Sequence, residues 1–275
     1  MLQKSLNGVF YQTSSQWLAI QPDRHLADPA AGVATLHLRR QPFPIEYVSP
    51  LPLQLAAALE QPVREVTLLV VEGLGREWST PFSKSPLSSQ ERSVLQGVVL
   101  LPDASGQLGL QLDSAGLMLW LKLLVTLPWP QGQLSYQPCQ TLAVPSPLSQ
   151  RLHLSPLALV QHTYARCSSL AADLSSDSAS ARAEARPDLG ASDANSAVIW
   201  ALADLVDTLA AVGVPPTALL QRGCFLSEAV YEWLRAFYRE RSENPALTGL
   251  ILQAVQQSLQ HLLEQRLGYH APAAL

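Results

Sequence analysis

The chain contains 275 residues, of which 48% are hydrophobic and 15% are charged, and its formal net charge is −4. This composition can bury the core of one large or two small domains and excludes a disordered or fibrous chain. Residues 1–150 hold 9 basic and 10 acidic side chains, and residues 151–275 hold 9 basic and 12 acidic ones. Because neither half is basic, nucleic-acid binding would require a local cluster of Lys or Arg rather than bulk charge.

The N-terminal part mixes strand and helix signals. Its predicted elements are a strand at 33–38, helices after Pro52 and Pro62, a strand, turn and strand over 94–112, and a helix from Asp113 or Ser114 to Leu127. The helix after Pro62 is expected to end at Gly73 and Gly75 because glycine is unfavourable in a helix interior. The polar, Ser-rich residues 76–93 predict an exposed loop. Together these elements predict a small α+β domain.

The C-terminal part is predicted to be helical and follows a Pro-rich linker in which Trp129 is expected to pack. Ser155 and Pro156 form a typical helix start, and apolar residues recur at helical spacing from Leu157 to Cys167. Further helices are predicted after Asn195 or Ser196, from Pro215 to Tyr238, and from Ala246 to Leu267 with Gly268 as the C-cap. These helices predict an antiparallel bundle.

The first helix of that bundle carries a recognisable segment, VQHTYAR, at residues 160–166. It resembles the helix that opens the anticodon-binding domain of arginyl-tRNA synthetases, where the family reads Val-Gln-Tyr-Ala-His-Ala-Arg. The family's aromatic and histidine positions are exchanged here, as His162 and Tyr164. The residues that match in register are Val160, Gln161, Ala165 and Arg166. The resemblance implies that this helix faces an anticodon loop.

Other segments resemble the same family in the same order. Residues 47–74 are similar to its N-terminal extra domain, and Leu267–Pro272 matches its Leu-Gly-x-x-x-Pro ending. Gly106 is retained, but Gln107 and Gly109 stand where the family has an aromatic residue and an asparagine that read the tRNA D-loop. An aromatic ring stacks on a base and an amide pairs with its edge, whereas glycine does neither. The resemblance therefore implies the fold of this domain without its RNA-reading pair.

The catalytic part of the family has no counterpart in the sequence. A large nucleotide-binding domain separates the two matching parts in arginyl-tRNA synthetases, whereas about twenty residues separate them here. The His-x-Gly-His signature is absent, as are glycine-rich phosphate loops. His153, His261 and His270 have no carboxylate, Ser or Cys partner at a spacing typical of a nucleophile and its base. We therefore expect no catalytic residue, no ATP site and no other cofactor.

Compartment and metal binding are predicted from what the sequence lacks. The cysteines, Cys139, Cys167 and Cys224, lie far apart and match no metal or disulfide spacing, so buried, reduced side chains and no metal are expected. The most apolar run, 117–127, is interrupted by Lys122 and is shorter than the ~18 residues of a membrane-spanning helix. The N-terminus lacks the apolar segment of a signal peptide. These features predict a cytoplasmic protein with no membrane contact.

We predict an α-rich chain of two domains. An α+β domain at 1–127 resembles the synthetase extra domain, a Pro-rich linker spans 128–150, and an all-α, DALR-type anticodon-binding-like bundle spans 151–275. The resemblance implies a non-catalytic arginyl-tRNA synthetase-like protein that binds tRNA through the bundle. The candidate RNA-binding residues are Gln161, His162, Tyr164, Arg166, Arg235 and Arg239. His162 and Tyr164 are the ones expected to be exposed.

Two alternatives remain open at this point. The chain is also consistent with a protein-interaction or assembly factor that reuses the synthetase scaffold, and with one piece of a split enzyme whose catalytic domain is encoded elsewhere. The arrangement of the bundle's arginines distinguishes RNA from a protein partner: a converging basic face favours RNA, and interspersed acidic residues favour protein. The arginines in question are Arg151, Arg166, Arg222, Arg235, Arg239 and Arg241.

Overall fold

The computed structural model describes residues 36–39, 45–79, 89–103, 105–126, 129, 146–177, 193–240 and 245–272. The chain divides into two compact units, Met1–Trp120 and Leu121–Leu275. The described residues are mostly helical and include one small antiparallel sheet, which confirms the prediction of an α-rich fold with some strand. Most of the predicted linker, apart from Trp129 and 146–150, lies outside the described residues.

The first unit is built on a four-stranded antiparallel sheet in the order β1-β2-β4-β3. Its strands are β1 (His37–Leu38), β2 (Glu46–Ser49), β3 (Val98–Pro102) and β4 (Leu108–Leu112). Tyr47 lies opposite Leu110, and both are 1% exposed, so one face of the sheet forms the core of this unit. Among the described residues, β3 is an edge strand. Of the two strands predicted over 94–112, both are present, but the first begins at Val98 because 94–96 belong to a helix.

The turn between β3 and β4 depends on Asp103 and Gly106. One carboxylate oxygen of Asp103 accepts hydrogen bonds from the backbone N–H of Ser105 at 2.7 Å and of Gln107 at 3.1 Å. Gly106 has a φ of +83°, and a Cβ built on it would lie 2.1 Å from Cγ1 of Val63. Both its backbone conformation and its close packing therefore require glycine. This gives a structural reason for the glycine at this position.

Four helices of the chain accompany the sheet in sequence: α1 (Leu51–Leu59), α2 (Val63–Ser79), α3 (Ser89–Gln96) and α4 (Ser114–Thr126). The start of α4 confirms the predicted cap, because Asp113 accepts a hydrogen bond from the N–H of Gly116 at 2.6 Å. The prediction that α2 ends at Gly73 and Gly75 is wrong, since the helix continues to Ser79. The predicted loop at 76–93 is wrong as well where the structure describes it, because 76–79 and 89–93 are helical.

The continuation of α2 has a simple energetic reason. Val66, Val70 and Leu74 follow one another at helical spacing and are at most 2% exposed. Burying each of these side chains stabilises the helix by roughly 1.5–3 kcal/mol, whereas a glycine in a helix interior costs about 1 kcal/mol relative to alanine. Tertiary packing therefore overrides the local preference of the two glycines.

The second unit contains a helical bundle. Its helices are α5 (Pro147–Arg151), α6 (Pro156–Asp177), α7 (Asp193–Ala210), α8 (Pro216–Glu240), α9 (Pro245–Gln260) and a π-helical segment (His261–Leu267). α6 packs against α8 and α9, and α8 packs against α7 and the π-helical segment. Gly223 permits the closest approach, because a Cβ there would lie 2.5 Å from Cδ2 of Leu262 and 3.3 Å from Cγ2 of Val160. α6 and α8 are therefore held side by side.

Two of the predicted helix-end signals are confirmed, whereas the N-cap predicted at Asn195 or Ser196 is wrong because α7 already begins at Asp193. The hydroxyl of Ser155 accepts a hydrogen bond from the N–H of Ala158 at 3.1 Å, and Pro156 is the first residue of α6. Gly268 has a φ of 73° and ends the last helical stretch, as predicted, although its final turns are π-helical rather than α-helical. Trp129 stacks on His261 with ring centroids 4.7 Å apart, so it packs as expected.

Candidate nucleic-acid interface

The candidate RNA-binding residues lie on two neighbouring helices. Gln161, His162, Tyr164 and Arg166 belong to α6, and Arg235 and Arg239 belong to α8. Because α6 and α8 pack against each other, the two sets share one region of the bundle. The side chain of Arg239 lies outside what the structure describes, so only the other five residues can be placed in detail.

His162 contacts a tyrosine that the sequence analysis did not select. Its Nδ1 lies 2.5 Å from the hydroxyl oxygen of Tyr231 on α8, and the two rings stack with centroids 5.8 Å apart. Burial and the nearby Arg166 lower the pKa of His162 from its usual 6.5, so the ring is neutral at physiological pH. Burial raises the pKa of Tyr231, and its hydroxyl therefore stays protonated and can donate to Nδ1 when the ring proton of His162 lies on Nε2.

Arg166 lies over the same tyrosine. Its guanidinium carbon is 5.6 Å from the centre of the Tyr231 ring, within the range of a cation–π contact. Arg166 follows His162 by one helical turn, so both side chains lie on one side of α6. No carboxylate of the described residues lies within ion-pair distance of Arg166. His162, Arg166 and Tyr231 are called the α6–α8 cluster below, and it carries a positive charge that its own neighbours leave uncompensated.

Two of the candidate residues on α6 make structural contacts. The side-chain amide of Gln161 donates a hydrogen bond to the backbone carbonyl of His270 at 3.1 Å and so fastens the chain after Gly268 to α6. Tyr164 is 7% exposed, so the expectation that it forms an exposed contact is wrong. It follows Val160 by one helical turn and packs into the same apolar stripe, which leaves its ring no surface for a base.

The other described arginines of the bundle do not add to the cluster's charge. Arg222 forms an ion pair with Asp204 at 2.9 Å, and Arg235 lies 3.9 Å from Glu232. Arg151 is exposed on α5, while Arg241 lies outside the described residues. Acidic side chains therefore accompany two of these arginines, and the described residues form no broad basic face. By the criterion given above, this arrangement favours a protein partner, and Arg166 is the arginine that favours RNA.

The exposed face of the sheet has a different electrostatic character. Gly109 pairs with Leu101 and Val48, and these residues share that face with Glu46 and Gln111. A Cβ at Gly109 would lie 2.7 Å from Oε1 of Glu46 and 3.2 Å from the carbonyl oxygen of Leu101. The carboxylate of Glu46 thus occupies the space that a side chain at position 109 would need, and it pairs with Arg39 at 3.1 Å.

The described residues offer no metal site. Cys167 and Cys224 are buried and unpaired, and burial raises the pKa of both thiols to about 12, which keeps them protonated. Within the described ranges, His, Cys, Asp and Glu side chains form no group of three or more that is placed to hold a metal ion. Over the same ranges, every helix is too short or too polar to cross a membrane.

Comparisons with known proteins give no assignment for this chain: no family model, no curated protein and no solved structure matches it. Tyr231 is the functional candidate that the sequence did not reveal, because its partner His162 is 69 residues away in the chain. A helical period identifies which residues share a face, but it does not identify the facing helix.

Proposed function

We propose that this chain is a non-catalytic relative of arginyl-tRNA synthetases that binds tRNA through its helical bundle. The observation that carries the proposal is the position of Arg166, which lies over Tyr231 and one turn from His162 without a carboxylate in reach among the described residues. A guanidinium in this setting keeps donors available for a phosphate. Partly exposed aromatic rings beside it suit the stacking of an unpaired base.

The charge pattern limits the strength of this interaction. The net charge is −4, and Arg222 and Arg235 are each close to a carboxylate. A protein that contacts few phosphates releases few counterions, so its affinity for RNA falls only gently with salt. We therefore expect micromolar affinity for tRNA and a slope of log K against log salt of about −1 to −2.

The test is the binding of fluorescently labelled total tRNA to the full chain, followed by anisotropy. Arg166→Gln is expected to weaken binding about five- to tenfold and to make the salt slope shallower by about one, because a phosphate contact is lost. Arg222→Gln is the matched control, since it removes the same charge from an arginine already paired with Asp204. Equal losses in both variants would contradict a site at the α6–α8 cluster.

A second candidate function is supported by the first unit. Val99 and Leu101 on the edge strand β3 are 44% and 39% exposed, and Leu68 on α2 is 57% exposed. A groove of about 760 Å³ between α2 and the β3–β4 turn is lined by Arg64, Leu68 and Asp103, among others. Exposed apolar residues on a sheet edge favour a protein partner that pairs with or packs on that edge.

This second function is tested by capture of partners with the purified full chain, compared with a Val99→Ser, Leu101→Ser double variant. A protein that is retained by the wild-type chain and lost with the double variant would support an interaction factor. The Arg166→Gln variant should retain the same protein, since its substitution lies in the other unit.

A further inference from the structure

The α6–α8 cluster contains a group whose charge can change near physiological pH. His162 is half-buried and contacts the hydroxyl of Tyr231, and the guanidinium of Arg166 lies over the ring of the same tyrosine. We propose that His162 takes up a proton when RNA binds, so that the affinity of this site for RNA rises as the pH falls. This proposal rests on the proposed tRNA binding. The ligand group that the site would recognise is the phosphate backbone of RNA.

Without bound RNA, the α6–α8 cluster is expected to carry one positive charge, that of Arg166. A protonated His162 would place a second positive charge one helical turn from Arg166, and like charges at that spacing disfavour each other. Burial opposes the same protonation, because a charged ring loses more hydration than a neutral one. A phosphate group beside Arg166 would reverse this balance, since it compensates both positive charges at once.

Among the described side chains, the helices packed against α6 supply no carboxylate that is placed to do the same. α9 contains no Asp, Glu, His, Lys or Arg over Pro245–Gln260. On α8, Glu228 accepts hydrogen bonds from Ser146 and the N–H of Leu148, and Glu232 lies 3.9 Å from Arg235.

The last helical segment and the chain that follows it add none either. In the π-helical segment, Glu264 accepts from Gln260, and Arg266 donates to backbone carbonyls at the end of α7. His261 is buried against Trp129. His270 is exposed, and its backbone carbonyl is the group that meets α6, at Gln161. Among the described residues, these carboxylates are engaged elsewhere. An incoming anion is therefore the group that would stabilise a protonated His162.

The hydrogen bond to Tyr231 is compatible with both protonation states. With a neutral ring, the tyrosine hydroxyl donates to Nδ1 and the ring proton lies on Nε2. When Nδ1 gains a proton, it becomes the donor, and the hydroxyl oxygen of Tyr231 accepts after its O–H bond rotates. The ring thus keeps its partner and its orientation, and the added proton changes the charge of the site rather than its geometry.

The direction of the pH effect follows from the two pKa values of His162. In the free protein the pKa lies below its usual value of 6.5, and a bound phosphate raises it. Between these two values the complex holds a proton that the free protein lacks, so lowering the pH favours the complex. A rise of one pKa unit on binding gives a tenfold gain in affinity across that window. We expect about three- to tenfold tighter binding near pH 5.5 than near pH 8.

The experiment measures binding of labelled total tRNA to the full chain between about pH 5.5 and pH 8 at constant ionic strength. His162→Gln should bind with an affinity that is nearly independent of pH, because an amide does not titrate. His270→Gln is the matched control and should keep the wild-type pH dependence, since its only described contact with α6 is made by a backbone carbonyl. Circular dichroism verifies that both variants are folded.

A second readout uses the wild-type chain alone. Calorimetric titration with tRNA in two buffers of different ionisation enthalpy gives the number of protons taken up, which should be positive near pH 6. Measurable binding without proton uptake, or a pH dependence that survives in His162→Gln, would overturn the inference while leaving tRNA binding intact. No binding at any pH would instead reject the proposed function itself.

Discussion

The exposed face of the sheet and the α6–α8 cluster differ in how their charges are compensated. On the sheet, the carboxylate of Glu46 lies over Gly109 and pairs with Arg39. In the bundle, Arg166 lies over an aromatic ring with no carboxylate within ion-pair distance among the described residues. Among the described residues, only the second of these two regions presents a cation without a carboxylate within ion-pair distance. The charge chemistry of a surface is therefore a separate property from the fold that carries it.

The two units are expected to differ most in their sensitivity to acid. Burial lowers the pKa of His261 in the bundle from 6.5 to about 4, so the folded state binds this proton less readily than the unfolded state. The resulting stabilisation is complete above about pH 6.5 and is lost as the pH falls toward 4, by about 3 kcal/mol. His261→Phe keeps a ring against Trp129 without a titratable group, so urea unfolding at pH 7 and pH 4 should show a smaller loss than in the wild type.

The first unit is expected to be less sensitive to acid over this pH range. Hydrogen bonds from Ser105, with further help from the N–H of Gln107, lower the pKa of Asp103 below its usual value of 3.8. Its contribution to stability is therefore present above that value and is lost only at lower pH. Equal loss of both units' structure between pH 6.5 and pH 4, or no difference between wild type and His261→Phe, would contradict this account.

Substitution of Gly109 is expected to have the next largest effect on the free energy of unfolding. Gly109→Asn adds a side chain whose Cβ would meet Glu46 and the carbonyl of Leu101. We expect a loss of about 2 kcal/mol in the free energy of unfolding, because overpacked sites must shift their neighbours. Gly75→Asn is the control, since nothing lies within 4 Å of a Cβ there. If both substitutions lower the free energy of unfolding equally, the carboxylate of Glu46 does not restrict the space at position 109.

The orientation of His162 is expected to have a smaller effect on binding. Tyr231→Phe keeps a ring beneath Arg166 and removes the hydroxyl, which contacts Nδ1 of His162 and also hydrogen-bonds Arg166. Loss of these contacts should weaken tRNA binding about two- to threefold, as measured by anisotropy. Tyr238→Phe on the same helix removes a hydroxyl from a side chain that is 55% exposed and should leave the affinity unchanged. A larger effect at Tyr238 would move the interface toward the end of α8.

The sequence predicted the N-caps of α4 and α6 correctly but missed the start of α7 and the end of α2. Asp113 and Ser155 each accept the backbone hydrogen bond expected of an N-cap, because capping needs only residues that are close in sequence. The end of α2 was predicted wrongly from Gly73 and Gly75, since the burial of Leu74 between them depends on tertiary packing. N-caps can therefore be predicted from neighbouring residues. The continuation of a helix through glycines cannot, because it depends on tertiary packing.

The candidate site illustrates the same limit. The helical period of α6 predicted that Tyr164 lies in the apolar stripe, whereas the resemblance implied an exposed ring. Tyr164 is buried, as the helical period predicted. Arg166 and His162 were selected from the sequence, but their contact with Tyr231 joins helices far apart in the chain. Such a contact depends on how α8 lies against α6, and no pattern within either helix specifies it.

Binding of total tRNA to the wild-type chain over a salt series tests directly whether the bundle binds RNA. We expect micromolar affinity near about 50 mM salt, a gentle decline toward about 200 mM, and a further five- to tenfold loss on Arg166→Gln. Absence of binding at about 50 mM salt, where electrostatic attraction is strong, would contradict the proposed tRNA binding. In that case the exposed apolar residues of β3 and α2 would become the leading candidate surface.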